Sequence, residues 1–270
     1  MMFVSFNVNS IRTRLHQLEA VIEQLAPDVI GLQETKVTDE EFPVEAIRNL
    51  GYHVHFHGQK THYGVALLSR AQPDEVIKGY ATDQPDAQRR LITGKFTVNG
   101  VPLTVINGYF PQGESRDHPV KFPAKQKFYQ DLMSYLDELS AQPGHVVLMG
   151  DMNISPTDKD IGIGPDNAKR WLRSGKCSFL PEEREWLGQV EQRGFTDVFR
   201  HLNPDEANTF SWFDYRSKGF ERKPRRGLRI DLIMANDSLL PKASGAGVSY
   251  EIRAMERPSD HCPIWARFDL

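Results

Sequence analysis

The chain has 270 residues, 39% hydrophobic and 26% charged, with a net charge of −3. That is enough apolar material for a sizeable core, and the slight acidity argues against a general coat of positive charge for nonspecific nucleic-acid binding, though not against a local basic patch. No stretch approaches the roughly 18 apolar residues of a membrane span, the opening MMFVSFNVNS lacks the basic start of a signal peptide, and Cys177 and Cys262 stand in no metal-binding spacing, so a soluble cytoplasmic protein with reduced thiols is expected.

In chain order, residues 3–8 read as a strand, and Leu15, Leu18, Ile22 and Leu25 follow at helical spacing. Residues 28–34 form a short apolar strand ending in polar residues, with further strands at 54–56 and 65–68. Residues 91–98 and 101–109 flank Asn99-Gly100, which suits a type I′ turn and predicts a hairpin. A helix is predicted over 122–139, with Lys125 and Lys127 on a solvated face. Residues 146–151 are a strand, 167–173 and 181–192 helices, and 209–213, 228–234, 248–252 and 263–268 late strands. Strands and helices interleave irregularly without a low-complexity linker. The expectation is one α/β domain over residues 1–270, built on two sheets.

Several apolar strands end in polar residues: Asn7, Glu34, Tyr109, then Asp151 and Asn153. Asp231 lies inside an apolar run, and Ser259-Asp260-His261 opens the last strand. Each has an ordinary explanation. Asn7 could cap a helix, Glu34 could be solvated, Tyr109 could be core, and Asp151 and Asn153 could make Asx turns. Asp231 is harder to dismiss, because Ile230, Leu232 and Ile233 predict burial and a buried carboxylate needs a partner. Taken together these residues describe a cleft lined by carboxylates, amides, a phenol and an imidazole. Hard oxygen donors of that kind suit Mg²⁺ or Mn²⁺ and a phosphate ester, whereas zinc is disfavoured without cysteine ligands or a histidine cluster.

From Arg216 to Arg229 seven basic residues face only Glu221, beside the aromatic run 210–215. The run is either a solvated loop or a DNA-facing one whose backbone contacts would be independent of base sequence. Lys121, Lys125 and Lys127 make a weaker second cluster.

The stretches FNVNSIR, IGLQETK, INGYFPQGESRDHP, MGDMNISPTDKDIG, FSWFDYRSKGF, RGLRIDLIMAN and PSDHCPI, which span nearly the whole chain in order, closely resemble the bacterial exonuclease III family of the exonuclease–endonuclease–phosphatase superfamily. The resemblance implies a four-layered α/β sandwich like that of deoxyribonuclease I, with two mixed sheets between helical layers. It implies Mg²⁺- or Mn²⁺-dependent action on double-stranded DNA at abasic sites, 3′ ends and nicks, by a monomer. Glu34 would be the principal metal ligand with Asn7 beside it, and Asp260 a further acid of that site, directly or through water. Asp151 would orient or deprotonate the attacking water. Asn153, Tyr109 and His261 would donate to the phosphate, with Asp231 holding His261 in its protonated form. Trp212, Leu228 and Ile230 would line an apolar pocket for a flipped-out abasic sugar, with Gln112, Arg90, Lys121 and Arg216 as further DNA contacts. A different phosphoesterase on this fold should lack FSWFDYRSKGF and the basic loop. A scaffold without catalysis should have lost Glu34, Asp151, Asp231 or His261, and none is lost.

Overall fold

The computed structural model describes residues 1–270. Its strands are β1 (Met2–Asn7), β2 (Val29–Gln33), β3 (His53–His57), β4 (Val65–Ser69), β5 (Glu75–Lys78) and β6 (Leu91–Val98). They continue as β7 (Val101–Tyr109), β8 (His145–Asp151), β9 (Phe195–Asp197), β10 (Asp231–Asn236), β11 (Ala243–Val248) and β12 (Ile264–Phe268). The helices are α1 (Leu15–Leu25), α2 (Val44–Arg48), α3 (Lys121–Ser140), α4 (Pro165–Arg173), α5 (Pro181–Glu191), α6 (Val198–Leu202) and α7 (Tyr250–Arg253). One six-stranded sheet runs β11-β12-β1-β2-β4-β3 and the other β5-β6-β7-β8-β10-β9. Both are mixed: β1 pairs in parallel with β2 and β7 with β8, and the remaining pairs are antiparallel.

Three apolar clusters make this a four-layered sandwich. Leu18 and Val21 of α1 pack on Val4, Phe6, Ile30 and Leu32, on the outer face of the first sheet. Phe128, Leu132 and Leu136 of α3 and Trp186 and Val190 of α5 cover Ile106, Leu148 and Leu232 on the second. Phe3, Val29 and Leu67 meet Ile92, Val105, Val147 and Ile233 between the sheets. Strands covered on both faces favour apolar side chains at successive positions, which is why β1, β2 and β8 read as nearly continuous hydrophobic runs rather than alternating ones. Each fully buried Val, Leu or Phe contributes roughly 1.5–3 kcal/mol. One polar side chain crosses this middle layer. Asn107 of β7 donates through Nδ2 to the carbonyls of Leu32 and Ala66 in the opposite sheet, and its Oδ1 accepts from Gln33.

The predicted hairpin, the long helix and the central strands fall where expected. So do α1, α4, α5 and β12, and the structure corrects the other late strands. Residues 209–213 form only isolated bridges, at Trp212 with Leu228 and His261. The strand predicted over 228–234 begins at Asp231 and runs to Asn236. That predicted over 248–252 is instead the end of β11 and then α7. β11 itself reads ASGAGV, with little intrinsic strand preference. It pairs with β12 across Gly247, where a side chain would collide with the Trp265 ring at 2.7 Å. Short β5, β9, α2 and α6 carry too few periodic residues to be recognised.

Two cations are also reassigned. Lys125 is fully buried, paired with Glu183, because it shares an α3 face with Tyr129 and Leu132. Arg229 is buried between Asp160 and Asp197, with which it makes bonds of 2.7 and 2.6 Å, and is structural rather than DNA-facing.

Candidate active site

The two parallel pairs aim their C-terminal ends at one edge of the sandwich. Asn7 ends β1, Glu34 follows β2, Tyr109 ends β7 and Asp151 ends β8. Tyr109 and Asp231 flank Asp151 in register on the neighbouring strands. β12 runs antiparallel to β1, so the segment entering it brings Asp260 and His261 to the same edge. Gly150 makes the last step of β8 possible: it has φ 149°, and a Cβ there would lie 1.9 Å from the Gly108 carbonyl of β7. The close approach is therefore to the neighbouring strand.

Asp151 is 1% exposed. Its carboxylate accepts from Asn7 Nδ2 at 2.9 Å and from the Asn153 N–H at 3.1 Å, the second bond being an Asx turn that coexists with the site. Burial, reinforced by the Asp231 and Glu34 carboxylates, pushes its carboxyl up to about 7 against the pull of His261 and Asn7. Asp151 is thus poised to exchange a proton near neutrality.

The His261 ring is held by two bonds from Nδ1 to Asp231, at 2.9 and 3.1 Å, and its Nε2 faces Asp151 at 3.7 Å. Asp231 accepts a further bond from Ser211 Oγ at 2.6 Å. Burial alone would depress the imidazole, but the flanking Asp231 and Asp151 carboxylates outweigh it and raise it to about 10. The ring is therefore a cation at neutral pH. Asp151, Asp231 and His261 also bring potential ligand atoms within 4.8 Å of one another; without a metal, the geometry keeps a proton on the ring, with Asp231 accepting from Nδ1.

Tyr109 is kept protonated. Burial and the carboxylates of Glu34 and Asp151 push its phenol well above its ordinary value. Arg90 is 8% exposed and sandwiched between Tyr63 and Tyr109, 4.6 and 4.7 Å from their centroids, and it donates to the Tyr109 carbonyl at 3.0 Å. Its guanidinium positions the phenol and does not reach out to solvent. Asn153, at φ 52°, spends one amide N–H on the Phe110 carbonyl and keeps the other. Its own carbonyl accepts from buried Lys125 at 2.8 Å. Glu34 also has a left-handed backbone, φ 57°, and such strained non-glycine residues gather at functional sites.

Oxygen donors for a metal lie on the other side of Asp151. Glu34 is partly open and meets Lys36 Nζ at 3.1 Å. Lys36 bonds Asn9, Asn9 bonds Asp260, and Asp260 also accepts from Trp212 Nε1 at 3.0 Å. Both Asp260 oxygens thus accept from neutral N–H groups. Asn7 Oδ1 accepts one bond, from the Asn9 N–H, and has a second lone pair to offer. Carboxylate and amide oxygens without thiolates fit a hard divalent cation. Both cysteines are buried and unreactive, Cys177 being raised to about 12 by burial.

Beside this cluster a cavity of about 380 Å³ is lined by Trp212, Trp171 and Ile163 and ringed by basic side chains including Arg216. Of the three residues expected to line an apolar pocket, only Trp212 faces this space. Leu228 and Ile230 are buried with Phe179 in the cluster that supports it. Gln112 is exposed, with its amide oxygen turned back to the Glu114 N–H at 2.7 Å. Lys121 is exposed and paired with Glu114 at 2.6 Å, a surface pair worth little. The sequence reading missed Trp171, Arg170 and Lys176. They stand apart from the basic run, and only the amphipathic helix that carries Arg170 and Trp171 hinted at them.

The profile of the Endonuclease/Exonuclease/phosphatase family matches residues 4–261. Exodeoxyribonuclease III of Haemophilus influenzae is 58% identical over 268 residues, which is 99% of this chain and 100% of that one. A structure of a 3′ phosphatase from Neisseria bound to a product DNA hairpin is similar with a TM-score of 0.91 and 37% identity, covering 100% of both chains. An AP endonuclease from Archaeoglobus fulgidus is similar at 0.88 and 34%, again over 100% of both.

Proposed function

The chain belongs to the Endonuclease/Exonuclease/phosphatase family, and from that premise we propose that it is a metal-dependent DNA-repair nuclease of the exodeoxyribonuclease III type. It hydrolyses phosphodiester bonds in double-stranded DNA, removing nucleotides 3′→5′, cutting 5′ to abasic sites and clearing 3′ phosphates. It acts as a monomer in the cytoplasm, with residues 1–270 forming one catalytic domain. No helix is long and apolar enough to cross a membrane.

The observation that carries the reading is the pairing of Asp151, which exchanges its proton near neutrality, with an imidazolium His261 3.7 Å away. Phosphodiester hydrolysis needs a base on the attacking water and donors on the phosphoryl oxygens, and most of its catalysis comes from positioning and electrostatics. Asp151 takes the proton from the water. His261 donates from Nε2 to a non-bridging oxygen, and Tyr109 and the free N–H of Asn153 donate beside it. Asp231, fixed by Ser211, keeps His261 charged. Arg90 holds Tyr109 in place. Glu34 and Asn7, with Asp260 nearby, would hold Mg²⁺ or Mn²⁺. That cation would neutralise charge on the phosphate and lower the pKa of bound water. Trp212, backed by Leu228 and Ile230, is the apolar wall for an extruded abasic sugar, while Gln112, Lys121 and Arg216 flank the DNA path.

The test is a side-by-side rate comparison on duplexes carrying an abasic site, a recessed 3′-OH or a 3′-phosphate, with Mg²⁺ or Mn²⁺. Cleavage of all three is expected. Inertness on all three with both metals would overturn the reading.

A further inference from the structure

Five cations from two separate segments face the cavity of about 380 Å³ beside Trp212. Arg170 comes from the last turn of α4 and Lys176 from the turn that follows it. Arg216, Arg222 and Arg226 come from the loop that precedes β10. None of the five charged groups has a carboxylate oxygen within 4.0 Å. Asp214, the one acid of the lining, is turned to the backbone N–H groups of Arg216 and Ser217. The guanidinium groups that are anchored use neutral acceptors: Arg170 donates to Asn167 Oδ1 at 2.8 Å and Arg222 to the Ser217 carbonyl at 3.1 Å. The Lys176 ammonium lies 3.8 Å from the centroid of the Trp171 ring. Partial desolvation of this otherwise exposed side chain depresses its pKa and Arg170 adds to that, against the opposing pull of Asp214.

Other basic side chains do find acids, as Lys121 does with Glu114, Arg116 with Glu182 and Arg193 with Asp137; what sets these five apart is that they surround one space. Like charges gathered around one space repel, and an anion entering that space relieves them. A phosphate suits the arrangement, because guanidinium groups bind its oxygens in a planar, two-pronged fashion. The floor of Ile163, Trp171 and Trp212 leaves room for an attached sugar. Trp212 also joins the cavity to the catalytic edge, through its Nε1–H bond to Asp260 and its bridge to His261.

We propose that this cavity is a second phosphate subsite, in which Arg170 and Lys176 on one wall and Arg226 on the other hold a DNA backbone phosphate flanking the one that is cut. The proposal rests on the nuclease reading above. Its chemistry would equally suit the phosphate of a released mononucleotide, and the experiment separates the two sources.

The protein carrying both Arg170→Ala and Lys176→Ala is compared with wild type for duplex binding across salt concentrations, in chelator so that no cleavage occurs. Inhibition of cleavage by free 5′-mononucleotide is measured in parallel. Each lost phosphate contact lowers the slope of log affinity against log salt by about 1. The double variant should therefore have a slope shallower by about 1–2. For each such step its affinity deficit should shrink about fourfold between roughly 50 and 200 mM salt, with inhibition by mononucleotide unchanged. An unchanged slope overturns the proposal, and so does a variant that loses only mononucleotide inhibition, which would make the cavity a product site. If wild type itself cuts no duplex, the nuclease reading has failed; if it cuts and the variant keeps its slope, the subsite alone has failed. Both side chains are exposed, so their removal leaves the fold intact.

Discussion

Replacing Asp151 by Asn should abolish cleavage and, above about pH 6, make the metal-free protein more stable. The carboxyl is pushed up to about 7 by burial, from an ordinary value of 3.8. A carboxyl raised in the folded state favours folding fully only below its unfolded pKa, and that contribution is lost as pH rises through the folded value. Ionising Asp151 therefore costs the native state nothing below about pH 4. Between there and pH 7 the cost grows by about 1.4 kcal/mol for each pH unit, and it levels off at about 4 kcal/mol above pH 7. Asn carries no such charge. It forfeits part of the bonding to Asn7 and Asn153, roughly 1–2 kcal/mol, but that loss is the same at every pH. The stability difference between variant and wild type should thus move in favour of the variant by about 2–3 kcal/mol between pH 5 and pH 7.5. Urea unfolding in chelator at the two pH values measures it. A difference that does not change with pH would refute the idea that the site holds a destabilised carboxylate.

Asp231→Asn should move both limbs of the pH–rate profile to lower pH. The alkaline limb moves because His261, raised to about 10 largely by Asp231 against burial, loses that partner; a fall of roughly two pH units or more is expected, and an unmoved limb would remove His261 from its role as cationic donor. The acid limb follows because Asp231 also helps raise Asp151. Lys125→Met should leave the buried Glu183 carboxylate without its cation and release the Asn153 carbonyl. Breaking such a pair costs about 3–5 kcal/mol, a fall in melting temperature of roughly 10 °C for a chain of this size; a melting temperature indistinguishable from that of wild type would show the pair to be dispensable. Trp212→Ala should slow abasic-site cleavage more than 3′-phosphate removal in paired rate assays, and equal losses would argue against a damage-selective wall.

Much of this was legible in the sequence, for a physical reason. A strand covered on both faces is mostly apolar, so its polar terminus stands out, and Asn7, Glu34, Tyr109 and Asp151 each mark such an end. What misled was the assumption that a cation is solvated. Lys125 stands four residues before Tyr129 and seven before Leu132, on the face that packs against the second sheet; helical phase could have revealed it. Arg229 lies between Leu228 and Ile230, both buried, and its partners Asp160 and Asp197 are too distant in sequence to be matched by inspection. Arg170 and Lys176 stayed hidden because their role is set by a cavity shared with a loop far along the chain. The strand misread over 209–213 has a related origin: its apolar aromatic run is there to place Ser211 on Asp231 and Trp212 on Asp260.

The central claim is that Asp151 activates water for metal-dependent cutting of damaged DNA. It is tested most directly by single-turnover cleavage of a duplex bearing one abasic site, using wild type and Asp151→Asn with Mg²⁺ and with chelator. The expected result is incision by wild type with metal only, a variant rate at least about a thousandfold lower, and near-normal duplex binding by that variant. Incision by Asp151→Asn at a rate near that of wild type would contradict the assignment.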